Sequence, residues 1–158
     1  MVQLLVTDLS GRHLSDYALQ LTDELLQHAY QQFCGIEIIE QIPGYCKTRL
    51  KVTDNVDNLS HTLHGGVIYS MLDVTSMFAT IAVLQDGEYA ITNSFSCNVL
   101  SATNRGAWVE FEASIIRNGR NMLFSDCKAF KIGSDGEKKL IATAQLSKFK
   151  RQQDLNAV

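Results

Sequence analysis

Between Val67 and Leu84 the chain is apolar apart from scattered hydroxyls, and its only charged side chain is Asp73. A carboxylate in a segment that reads as buried is costly to keep ionised unless it is paired or has chemistry to perform. Immediately ahead stands His64-Gly65-Gly66. Glycines at a helix start let another group come close to the unpaired backbone N–H donors. Together these residues suggest an active site made from a helix N-terminus and a carboxylate.

Spacing constrains how the two parts can meet. At 1.5 Å of rise per residue, Asp73 stands roughly 12 Å along the helix from the donors at Gly65. One chain therefore cannot bring its own acid and its own helix start to one reacting atom, whereas two such helices packed antiparallel across a two-fold axis can do so twice. Side chains three and four apart share a helix face, so Tyr69, Ser70, Asp73, Ser76, Met77 and Thr80 form one stripe, with Val67, Met71, Val74, Phe78 and Ile81 elsewhere. The plainer alternative is a structural Asp73 hydrogen-bonded by Ser70 or Ser76, or a helix that packs on another chain.

Around this segment the chain divides legibly. Leu19, Leu21, Leu25, Leu26, Ala29 and Phe33 recur at near-helical spacing, predicting a helix over about 16–33 capped by Ser15. Ile36 to Ile42 and Tyr45 to Val52 read as strands around a Pro43-Gly44 turn. After the polar loop Asp54–Asn58, the glycine pair and the apolar helix, the period changes from helical to two. Strands are expected around Ile91–Val99, Val109–Ile115, Met122–Lys131 and Leu140–Phe149. The result is an α+β fold in which an antiparallel sheet wraps a long central helix, with an extra N-terminal helix. The 158 residues form a single domain, with an N-terminal extension and helix over 1–34, the core over 35–150 and a polar, frayed tail over 151–158.

Composition narrows the partners. With 14 Lys and Arg against 17 Asp and Glu, the net charge of -3 argues against a nucleic-acid binder. Four scattered cysteines without a C-x-x-C pair fit reduced thiols, and the first eight residues lack a secretory signal, so a cytoplasmic location is expected. A bilayer span of about eighteen residues is disfavoured by Asp73 and the interrupting hydroxyls. His61 and His64 lack a matched third ligand beyond Asp57, so no metal is expected. His13 and His28 read as surface residues. Cys97 shares an apolar strand face with Ile91 and Phe95 and is expected to be a buried, inert thiol.

The run Asn58-Leu59-Ser60-His61-Thr62-Leu63-His64-Gly65-Gly66, with Asp73 beyond it, resembles the hotdog-fold acyl-CoA thioesterases of the phenylacetyl-CoA thioesterase (PaaI) type. Arg117-Asn118-Gly119-Arg120, Phe124 and the trailing strands fit that family as well, and the likeness spans roughly residues 36–150. The resemblance implies Asp73 as nucleophile or general base and the Gly65 backbone N–H as the donor to the thioester oxyanion. It implies that Asn58 orients water or the neighbouring chain's carboxylate, that His64 holds the loop, and that Thr92 sets a hydroxyl near the acid. Gly66, Tyr69 and Met77 would line the substrate site, with Phe78 divided between that and the core.

Arg117 and Arg120, backed by Arg105 and Lys128, would meet the phosphates of coenzyme A, which is part of the substrate rather than a cofactor. The implied assembly is a homodimer or a homotetramer of paired dimers. Two other roles fit the fold: a non-catalytic acyl-CoA-binding protein, and an acyl-thioester dehydratase or hydratase.

Overall fold

A computed structural model describes residues 13–152; the N-terminal segment and the end of the tail considered above lie outside the described residues. Helices α1 (Asp16–Gln27) and α2 (Ala29–Cys34) precede strands β1 (Glu37–Ile42) and β2 (Tyr45–Lys51). Helix α3 (Gly65–Ile81) follows, and then strands β3 (Glu88–Val99), β4 (Trp108–Asn118), β5 (Met122–Ile132) and β6 (Lys138–Gln152). All neighbouring strands are antiparallel, in the order β1-β2-β4-β5-β6-β3. Helix α3 packs against all six strands, so the sheet wraps it and most of its circumference is apolar.

The alternation predicted for the strands supplies the core. Cys46, Thr48 and Leu50 of β2, Val109, Phe111 and Ala113 of β4, and Leu123, Ser125, Cys127 and Ala129 of β5 are buried at every second position. They meet Ile68, Met71, Leu72, Thr75, Phe78 and Ala79 of α3. Two buried hydroxyl pairs bolt helix to sheet: Thr48 Oγ1 to Thr75 Oγ1 at 2.7 Å and Ser76 Oγ to Ser125 Oγ at 2.8 Å. Each group finds its partner inside the core, which avoids the penalty of an unsatisfied buried hydroxyl.

Three expectations are corrected. The N-terminal helix is broken at His28, whose extended backbone separates α1 from α2. Gln32 Nε2 donates to the Leu26 carbonyl across the break at 2.8 Å, satisfying an acceptor that the interruption freed. The helical spacing carries on through the break, so periodicity alone does not reveal it. Strand β6 runs on to Gln152, past the expected start of the tail at Arg151, because Tyr89 and Glu88 of β3 pair with Arg151 and Gln152. The third correction concerns the polar stripe of α3, which does not face one site: Ser76 and Thr80 are fully buried, and Thr80 Oγ1 donates back to the Ser76 carbonyl at 2.8 Å.

Helix α1 is fastened at two points. Its buried Thr22 accepts a hydrogen bond from Gln41 Nε2 of β1 at 2.9 Å, and Tyr17 Oη donates to the Glu88 carbonyl at the start of β3 at 2.7 Å. Leu14 and Ala18 close a second, smaller apolar cluster with Ile81, Ala82 and Leu84 at the end of α3.

Candidate active site

Strand β3 carries a bulge between Thr92 and Ser94, where Asn93 is the extra residue against β6. A bulge shifts the two-residue alternation by one. Phe95 and Cys97 therefore turn inward on the same face as Thr92, while Ile91 points out and is 53% exposed. The expectation that Ile91, Phe95 and Cys97 share an apolar face is corrected at Ile91. Cys97 is half-buried, and burial pushes its thiol up.

This switch brings Thr92 to α3, where its Oγ1 donates to Asp73 Oδ1 at 2.8 Å. Lys148 of β6, opposite Thr92, completes the group: its Nζ lies 2.6 Å from Asp73 Oδ1 and 2.8 Å from Thr92 Oγ1. The proposed alternative partners of the acid are otherwise engaged. Ser70 bonds Tyr30 and the Gly66 carbonyl, and Ser76 bonds Ser125. The Lys148 side chain is 1% exposed and that of Asp73 38%. Both contacts converge on Oδ1, so Oδ2 has no hydrogen-bond partner among the described residues and can face a substrate.

Lys148 was not singled out from the sequence, although a signal was present. Ala142, Ala144 and Leu146 mark the buried positions of β6 at steps of two, and Lys148 continues the series. A lysine on the core side of a strand needs a counter-charge. Cys127 of β5 is near both charges; burial pushes its thiol up to about 12, with the Lys148 ammonium acting in the opposite direction.

The second half of the predicted site lies at the N-terminus of α3, whereas Asp73 stands at its middle. His64 caps the helix, its Nδ1 accepting from the Gly66 N–H at 2.9 Å. That bond consumes the Gly66 donor and leaves the Gly65 N–H without an acceptor among the described residues. Asn58 shapes the preceding loop: its Oδ1 accepts from the Ser60 N–H at 2.9 Å and the Thr62 N–H at 3.3 Å, and its Nδ2 donates to Thr62 Oγ1 at 3.0 Å. Asn58, Thr62 and Gly65 open on a cavity of about 370 Å³ that also reaches Val99 and Leu100 at the end of β3. Tyr69, 46% exposed, stands over Gly65 with its ring edge-on to Phe95 at 6.1 Å.

Met77, one turn beyond Asp73, lines a different groove of about 250 Å³ with Leu21, Leu25, Ile81 and Ala90. Phe78 is fully buried and belongs to the core. The acid and the helix start are thus placed apart, the helix start on its cavity and the acid one turn from the Met77 groove.

Arg117 and Arg120 are exposed at the β4–β5 turn and form no salt bridge among the described residues. The adjoining start of β5 pairs with β6 at Lys148 and Phe149, so the basic turn lies at the Asp73 end of the sheet. Arg105 differs: it is bound by Asp57, which accepts from Nε at 2.7 Å and from Nη2 at 2.6 Å. This pair occupies the carboxylate weighed above as a metal ligand.

Comparison with known proteins agrees with this architecture. The Thioesterase superfamily matches residues 60–137, from the loop before α3 into the β5–β6 turn. A Saccharolobus solfataricus protein, an esterase by name, is 26% identical over 127 residues, 79% of each chain. A thioesterase family protein from Silicibacter pomeroyi superposes with a TM-score of 0.79 at 20% identity, covering 86% of this chain and 98% of that one. The Escherichia coli PaaI protein, from the phenylacetic acid degradation operon, gives 0.76 at 20% identity, covering 89% and 97%. The segment that matches the Thioesterase superfamily contains Gly65, Asp73 and Thr92, and the chain shares the hotdog fold of these thioesterase structures.

Proposed function

We propose that the protein is an acyl-CoA thioesterase whose active site is shared between two subunits. The observation that carries this reading is the pair of polar groups on α3 without a partner among the described residues: a Gly65 N–H left open by the His64 cap, and an Asp73 Oδ2 left open by Thr92 and Lys148. The reaction is R–CO–S–CoA plus water giving R–COOH and HS–CoA. The Gly65 N–H, with the α3 dipole behind it, stabilises the oxyanion that forms on the thioester carbonyl. Asp73 Oδ2 attacks the carbonyl carbon or takes the proton from the water that does, and both routes need the ionised carboxylate.

The sheet supports a shared site. Among the described residues β3 pairs only with β6, leaving a twelve-residue edge open. Thr92 lies near its start, and Val99 at its end adjoins the Gly65 cavity. Antiparallel pairing of two β3 edges sets the acid end of one chain against the helix start of the other, and it also satisfies the free edge. Asn58 then stands beside the partner's acid. Arg117 and Arg120, at the acid end, reach for the coenzyme A phosphates.

Release of free thiol from a panel of acyl-CoAs tests this, with Asp73→Asn and Asp73→Ala beside the wild type. Both substitutions are expected to lower kcat about 1,000-fold or more. Unchanged thiol release in both would overturn the mechanism, no release from any acyl-CoA would favour a binding protein, and a change in enoyl absorbance without thiol would indicate a dehydratase.

A further inference from the structure

Lys148 places a full positive charge where the fold tolerates one only with a partner. It is 1% exposed, on the core side of a strand between β3 and β5, and its neighbours along that side are Leu146 and Ala144. Asp73 is the only carboxylate that forms a salt bridge with it among the described residues. An ammonium has three donors; here one goes to Asp73 Oδ1 and one to Thr92 Oγ1, while Thr92 returns its own hydroxyl proton to the same Oδ1. The three side chains come from α3, β3 and β6, so each contact is held by a different element.

This triangle has a direction. Among the described residues every side-chain bond to the acid falls on Oδ1, which leaves Oδ2 without a partner on a side chain that is 38% exposed. We propose that Lys148 is the positioning residue of the active site. It fixes the carboxylate plane of Asp73 so that Oδ2 presents to the thioester, with Thr92 as the bridge between them. The assignment rests on the thioesterase reading given above. A carboxylate pinned at one oxygen has lost the rotation that would otherwise have to be frozen out as the substrate carbonyl arrives, and small errors of placement at a reacting centre are expensive. The buried charge also bears on turnover. Whenever Asp73 becomes neutral, by taking a proton or by forming an acyl bond, Lys148 is left without its counter-charge, which favours return to the free carboxylate.

The groups that face Asp73 from the packed elements are Thr92 on β3, Lys148 on β6 and, more remotely, the Cys127 thiol on β5. Only Lys148 among them is cationic, so removing it takes away the one charged contact that holds Oδ1 among the described residues.

The test compares wild type, Lys148→Met and Lys148→Gln as full-length protein, following kcat, KM and the thermal midpoint. The expected result for Lys148→Met is a kcat lowered about 100-fold with KM within about threefold. Lys148→Gln, which retains a donor toward Oδ1 without the charge, is expected to restore part of kcat, again with KM within about threefold, and it carries the test should Lys148→Met not fold.

A folded Lys148 variant with wild-type kcat overturns the assignment. A fall in kcat accompanied by an equal rise in KM overturns it too, because a merely structural role would produce that pattern. If the wild type turns over acyl-CoA and Asp73→Asn does not, failure of the Lys148 prediction leaves the thioesterase reading standing. If the wild type releases no thiol, both fall together.

Discussion

Asp73 and Lys148 form an ion pair with unequal burial, 38% against 1% exposed, and this inequality decides what each substitution costs. Removing the acid strands an ammonium where water cannot reach it. Removing the lysine leaves a carboxylate that water can still solvate, and a methionine fills the space of the lysine stem. Asp73→Ala is therefore expected to lower the unfolding free energy by about 3 kcal/mol and Lys148→Met by about 1 kcal/mol. The double variant should be more stable than Asp73→Ala alone. Urea unfolding of the three proteins measures this, and equal costs for the two single changes would count against a buried, dependent lysine.

At the scale of the element, the start of α3 divides its two glycines between fold and function. A Cβ on Gly66 would meet His64 Nδ1 at 3.1 Å and Cε1 at 3.2 Å, so the ring that caps the helix would have to move. A Cβ on Gly65 meets nothing nearer than the Tyr69 hydroxyl at 3.8 Å. Gly66→Ala should thus cost about 1 kcal/mol of stability through loss of the cap. Gly65→Ala should change stability by less than about 0.5 kcal/mol yet lower kcat about 100-fold, because its methyl group crowds the open N–H. Thermal unfolding and thiol release measured on both variants separate the two roles. The β3 bulge is the matching device on the sheet: without Asn93 as the extra residue, Thr92 and Phe95 could not both face α3.

At the scale of the whole molecule, a shared site makes a prediction that a site within one chain cannot. Asp73→Asn lacks the acid and Gly65→Ala has a crowded helix start, so either homodimer alone should keep about one percent of wild-type activity or less. When equal amounts are unfolded and refolded together, half of the dimers are mixed, and each mixed dimer has one site assembled from two intact parts. Recovery of about a quarter of wild-type activity is expected from that statistics. Activity no higher than the average of the two separate preparations would place acid and donor in the same chain, as would a stable, fully active monomer.

The amino-acid sequence by itself determined the long apolar helix, the change from helical to alternating period, and the mismatch between the Asp73–Gly65 spacing and any site within one helix. These depend on local periodicity and rise per residue, which hold whatever the chain packs against. The break at His28 and the bulge at Asn93 were not legible, because each is a change at one residue that leaves the flanking pattern intact. The partner of Asp73 was hidden for a different reason. Lys148 is 75 residues away in the chain, and the pairing exists only where β6 and β3 lie side by side beneath α3. Tertiary structure decided that contact, since a buried charge is matched through space and sequence spacing carries no record of it.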